Sequence, residues 1–299
     1  MHIRAADLAA LRSQAAALRA ARNAARHVAS AGHRSAHRGR GLDFEESRRC
    51  GLGDDMRTID WRVTARMGET YTKVYKEERE RPVLVLADVG PSMAFGTRCA
   101  FKSVLAARLA ALITWMAVED DARVGGAVSG ATRIRYAAPN LRSAGVMALF
   151  QALEALQCLP GENLRESALD AALQETANRT RVGDRLIVIS DFHTLHDNGL
   201  RALAQCAGRA QTTAILIFDA LEATLPVAAD YQVTDGLGRW LIPGKDNRER
   251  KRYASQFDEH REKINWQFLS HNIELLSVST QNAAVDTLTG VMQQWMHVP

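Results

Sequence analysis

Two carboxylates and a hydroxyl stand where α/β proteins do their binding. Val83 to Ala87 is a short apolar run, closed by Asp88 and followed by Val89-Gly90-Pro91-Ser92. Leu186 to Ser190 is a second such run, closed by Asp191. Such runs read as buried parallel strands, and open α/β sheets bind at the carboxyl ends of their strands. Asp88 and Ser92 present hard oxygens suited to a divalent cation of the Mg²⁺ type. His193 and His196 follow Asp191 at a spacing that sets both on one helical turn. Together Asp88, Asp191, His193 and His196 offer the ligand types of a metal-dependent hydrolase. The plainer reading of the histidines is a loop with a helix cap.

Other chemistry is excluded more firmly. Gly125-Gly126 belongs to no Gly-x-x-x-x-Gly-Lys-[Ser/Thr] phosphate loop. Ser92 sits in Gly90-Pro91-Ser92-Met93-Ala94, which lacks the Gly-x-Ser-x-Gly elbow of a serine hydrolase.

The elements that must position these residues follow from periodicity. Strands are predicted at Val83–Asp88, Arg123–Val128, Arg133–Tyr136, Arg185–Asp191, Thr212–Phe218 and Ile273–Ser277. Helical patterns lie between most of them, near Cys99–Val118, Arg142–Leu156, Arg165–Asn178 and Gly199–Ala207. This alternation predicts an α/β fold, a mostly parallel sheet flanked by helices, with Asp88 and Asp191 ending neighbouring strands. Tyr231–Ile242 reads as a hairpin, Asp246–Ser270 as a charged helix and Ala283–Met296 as a closing helix. Three regions result: residues 1–41 as a basic helix and linker, 42–81 as a small mixed segment with short strands, and 82–299 as the α/β domain.

Charge is unevenly placed. Residues 1–40 hold eight arginines against Asp7 alone, about +7, so the remainder of a chain of net +4 carries about −3. Leu8, Leu11, Ala15 and Leu18 form an apolar stripe on the Ala- and Arg-rich stretch Ala5–Ser30, which suits docking on a protein surface. No aromatic residues interleave the arginines, which weighs against a nucleic-acid arm. Cys50, Cys99, Cys158 and Cys206 are scattered, as structural thiols of a reducing compartment are. The apolar stretch Leu109–Val118 is about half a bilayer span. A cytoplasmic protein without membrane insertion is expected.

The segment Ser47 to Arg66 is dense in Arg, Asp and Trp. Arg forks grip carboxylates bidentately, so it reads either as a salt-bridge network or as a recognition surface anchored by Trp61 and an arginine. Its Arg48, Gly53, Asp54, Arg57, Ile59, Asp60, Trp61, Ala65 and Arg66 match the signature of the family called domain of unknown function 58, which this chain closely resembles. That resemblance implies a von Willebrand factor A-like sheet. It also implies a site related to the metal-ion-dependent adhesion site, whose first loop reads Asp-x-Ser-x-Ser. Asp88 and Ser92 match that loop, with Gly90 in place of the first Ser. Glu162 and Asn163 stand where the family tends to have Thr and Asp, and Asp191 matches the third loop. The degenerate site of Asp88, Ser92, Glu162 and Asp191 is expected to bind Mg²⁺ weakly or not at all. The resemblance further implies a non-enzymatic interaction module of a bacterial cell. Its partners would be a MoxR-type AAA+ ATPase and other von Willebrand A proteins, in chaperone-like assembly or maturation of complexes.

Overall fold

The computed structural model describes residues 2–30, 43–51, 54–76, 81–159, 167–227, 230–234, 239–242, 245–281 and 284. Gly53, Glu162, Asn163, the linker 31–41 and all but Ala284 of the expected closing helix lie outside them. The chain divides into two compact units, one of residues 29–80 and one of residues 1–28 with 81–299.

In chain order the elements are α1 (Ala5–Ala10), α2 (Arg12–Ser30), β1 (Asp43–Arg49), α3 (Trp61–Met67), β2 (Tyr71–Lys76), β3 (Val83–Asp88) and α4 (Lys102–Glu119). There follow β4 (Val124–Ser129), β5 (Ile134–Asn140), α5 (Ser143–Leu156), α6 (Leu169–Arg179), β6 (Arg185–Ser190) and α7 (Asp197–Ala207). The last are β7 (Gln211–Phe218), α8 (Ala220–Ala223), β8 (Tyr231–Thr234), β9 (Arg239–Ile242), α9 (Asn247–Leu269) and β10 (Glu274–Ser279).

In the larger unit six of the described strands form a sheet of order β10-β7-β6-β3-β4-β5. All neighbours are parallel except β4 and β5. The chain winds from β3 outward through β4 to β5, then restarts beside β3 at β6 and winds the other way. The switch point therefore lies between β3 and β6, where a doubly wound sheet opens a crevice. Alternation along β3 assigns its two faces. Val83, Val85 and Ala87 join a core with α1, α4 and α5, while Leu84 and Leu86 join a second core with α6, α7 and α9. Burial on both faces is why these strands read as unbroken apolar runs. In β4, Gly126 adopts φ +147°, and a Cβ there would lie 1.9 Å from the Val85 carbonyl oxygen, so the glycine permits close strand approach rather than phosphate binding.

The expected amino-terminal helix is interrupted at Leu11, giving α1 and α2. Leu8, Ala15 and Leu18 are buried in the first core, with Leu11 packed against it. The Trp115 indole N–H donates to the Leu8 carbonyl at 3.2 Å, and the Ile3 N–H donates to Gln157 Oε1 at 2.8 Å. The edge strand expected at Arg133–Tyr136 continues to Asn140. β8 and β9 pair antiparallel, as the hairpin reading anticipates. No helix among the described residues is long and apolar enough to cross a membrane.

In the smaller unit β1 and β2 pair antiparallel. Asp60 caps α3, its Oδ1 accepting from the Arg62 and Val63 N–H groups, and Gly68 ends the helix at φ +73°.

Candidate functional site

The buried run of β3 ends in Asp88, and that of β6 ends one residue before Asp191. The two carboxylates thus occupy adjacent strand ends at the switch point, as the sequence anticipates. Both are buried. Asp88 Oδ1 accepts from the Gly90 N–H at 2.9 Å, and its Oδ2 from Ser190 Oγ at 2.7 Å. Asp191 Oδ1 accepts from Ser92 Oγ and from the His193 N–H, both at 3.1 Å.

The group that organises the site is Lys102, the first residue of α4. Its side chain is 1% exposed. Its Nζ donates to Asp191 Oδ2 at 2.8 Å and to Glu222 Oε1 at 2.6 Å. The Phe95 ring centroid lies 5.8 Å from the same nitrogen. Glu222 is aimed by a capping box on α8: Asp219 accepts from the Leu221 N–H, and Glu222 Oε2 accepts from the Asp219 N–H. Asp219 in turn accepts from Thr97 Oγ1 and Thr280 Oγ1, both at 2.6 Å. The loops after β3, β6, β7 and β10 are thereby tied into one network.

The electrostatics follow from burial and neighbours. Burial, with the Asp191 charge adding to it, pushes the Asp88 carboxyl up to about 7. Burial acts on Asp191 in the same sense, but the Lys102 ammonium and His193 together outweigh it and hold the carboxyl below the usual carboxylate range. Burial would lower Lys102, and the charges of Asp191 and Glu222 more than offset that and raise it. His260 Nε2 lies 3.1 Å from the Asp191 carbonyl oxygen, and its ring stacks on His193 at 4.1 Å. Burial, with His193 adding to it, lowers His260.

His196 turns elsewhere. Its Nδ1 lies 3.1 Å from Asp170 Oδ2 and its N–H donates to Asp170 Oδ1. The set Asp88, Asp191, His193 and His196 is therefore not assembled around one point. Among the described residues no three His, Cys, Asp or Glu side chains converge as metal ligands.

Of the oxygens expected around a hard divalent ion, those of Asp88, Ser92 and Asp191 lie among the described residues and that of Glu162 does not. The position between Asp191 and Glu222 holds an ammonium. Gly90 supplies no hydroxyl, and a Cβ there would lie 3.0 Å from Asp88 Oδ1, 3.3 Å from the Gly130 carbonyl oxygen and 3.4 Å from Ser167 Oγ. The serine of the first loop pattern would be crowded at this position.

The Arg, Asp and Trp segment resolves into local devices within its own unit. Arg48 grips Asp54 bidentately, at 2.9 and 2.6 Å, and Asp54 also accepts from the Gly51 N–H. Asp60 is a buried cap that also accepts from Ser47 Oγ. Trp61 is 68% exposed, and Arg57 and Arg66 are exposed as well.

Sequence reasoning missed Lys102, Glu222, Asp219 and His260. One signal was present for the lysine. It opens a helix whose next charge is Arg108, and a cation at a helix amino terminus opposes the dipole.

A profile of the family described as "Protein of unknown function DUF58" matches residues 46–263. Uncharacterized proteins of Mycobacterium bovis and Mycobacterium tuberculosis are each 30% identical over 198 residues, covering 66% of this chain and 61% of theirs. The match thus spans under two thirds of these curated relatives. Among solved structures, conserved hypothetical protein BatB from Bacteroides thetaiotaomicron aligns at TM-score 0.42 and 16% identity, over 72% of this chain and 98% of its own. A von Willebrand factor type A protein from Catenulispora acidiphila aligns at TM-score 0.39 and 12% identity, over 76% and 43% respectively.

Proposed function

Because this chain belongs to the DUF58 family, we propose that it is a protein-interaction module whose working face is the loop surface at the carboxyl ends of β3, β6 and β7. The observation that carries this reading is the charged network beneath that surface. Asp191 and the Lys102 ammonium are buried, Glu222 is half-buried, and the three are mutually engaged, as in a frame that holds loops still rather than one that meets a substrate. In the loops it supports, Phe95, Arg98 and His193 are exposed. Aromatic and arginine side chains on a rigid support are the residue types that anchor protein interfaces.

The partner proposed is a MoxR-type AAA+ ATPase, with the pair acting in assembly or maturation of other complexes; this part rests on the sequence resemblance. The chain serves as an adaptor and performs no bond chemistry. The test is interferometry of the purified full chain against the MoxR-type ATPase of the same organism. Binding is expected, weakened about tenfold or more by Phe95→Ala or Arg98→Ala. Absence of binding removes the partner. Binding indifferent to both variants removes the face.

A further inference from the structure

We propose that the Lys102 ammonium is the resident cation of the strand-end site: it takes the electrostatic place of a divalent ion between Asp191 and Glu222 and closes the site to Mg²⁺. Three observations converge. The ammonium lies within hydrogen-bond distance of both carboxylates, one from the β6 end and one from the turn after β7. The stem that delivers it starts at the first residue of α4 and is 1% exposed. In the neighbouring first loop Gly90 offers no side-chain hydroxyl, and a Cβ there would be crowded.

A soluble ion and a tethered one differ in consequence. A divalent ion exchanges with solvent, leaves with a chelator and keeps a coordination position for a partner's carboxylate. An ammonium fixed to the chain does none of these, because its directed hydrogen bonds end on this protein's own oxygens. The loops at this end are thus held in one arrangement whatever the metal supply. The inference concerns the site alone and does not depend on the identity of any partner.

Calorimetric and thermal-shift titrations of the full chain with Mg²⁺, Mn²⁺ and Ca²⁺ test it. The parent is expected to give no saturable heat and an unmoved melting temperature at millimolar metal. Lys102→Ser frees Asp191 and Glu222, and is expected to gain saturable binding, with a melting temperature that climbs as metal is added. Saturable binding by the parent that disappears in Asp191→Asn overturns the proposal. So does a folded Lys102→Ser that stays silent, since something other than the lysine then closes the site. If Lys102→Ser does not fold, nitrogen-15 lysine spectra of the parent decide. A protected ammonium signal indifferent to Mg²⁺ supports the proposal, and one that moves saturably with Mg²⁺ overturns it.

Discussion

Helix α4 carries Lys102 in its first turn, and Glu119 and Asp120 at its last. Both signs oppose the helix dipole, and the two ends meet that opposition in different ways. At the start, the lysine is sealed among Asp191, Glu222 and Phe95. At the end, Glu119 pairs with Arg12 at 3.0 Å, and Asp120 pairs with Arg19 at 2.7 Å and Arg22 at 2.6 Å, all reaching across from α2. Arg12 is 57% exposed in its pair, while Arg22, paired with Asp120, is 13% exposed. A buried charge must have its partners, since losing one leaves the others uncompensated in a poorly solvating interior. A surface pair trades water for an ion of similar worth. The first end therefore holds geometry, while the second adjusts an attachment made mainly by the apolar stripe of α1 and α2.

The largest effect is expected at the buried end. Lys102→Met should cost about 3–5 kcal/mol of stability at neutral pH, read by denaturant melts. A loss under about 1 kcal/mol would mean that the carboxylates find other compensation and that the two ends are alike. Next comes the stripe. Leu8→Ala should cost about 2–3 kcal/mol, because a buried leucine in the first core is replaced by a void. If it costs no more than removal of the Arg12 charge, the attachment of α1 and α2 is electrostatic after all.

The third test uses pH. Asp88 titrates near 7 in the folded chain, above its ordinary 3.8. Between those values the folded state holds more protons than the unfolded one, so this group makes stability fall as pH rises from about 4 to about 7, by at most about 1.4 kcal/mol per unit. Asp191, held low, acts below that window, where acid removes what it contributes. Melts of Asp88→Asn across the window should gain on the parent as pH rises; parallel profiles would show that Asp88 is ionised throughout. The smallest effect belongs to the surface end. Glu119→Gln, which loses the exposed Arg12 pair, should cost under about 1 kcal/mol, and the loss should fade in molar salt. A larger, salt-indifferent loss would place Glu119 in the same class as Asp191.

The sheet was legible because a strand buried on both faces leaves an unbroken apolar run, and the two that matter each end in an aspartate. The break at Leu11 was not, since Ala- and Arg-rich sequence favours helix on either side of it. Asp88, Ser92 and Asp191 were legible for the same reason as the sheet: strand ends are local features. Lys102 was not, because its meaning depends on residues 89 and 120 positions further on. The reach of His196 toward Asp170 is likewise tertiary, spanning 26 positions. The outward turn of Trp61 was not legible either. Its type left open a buried network or a surface anchor, and its position one residue after the capping Asp60 turns it outward as the first residue of α3.

The span between Lys102 and its partners also sets an order in time. During synthesis at about 5–20 residues per second, Glu222 is added roughly 6–24 s after Lys102. Thr280, which secures Asp219, follows later still. Throughout that interval the apolar length of α4 has no completed sheet to lie on, and its leading lysine lacks both partners. Closure of the charged network is thus a late event for the nascent chain.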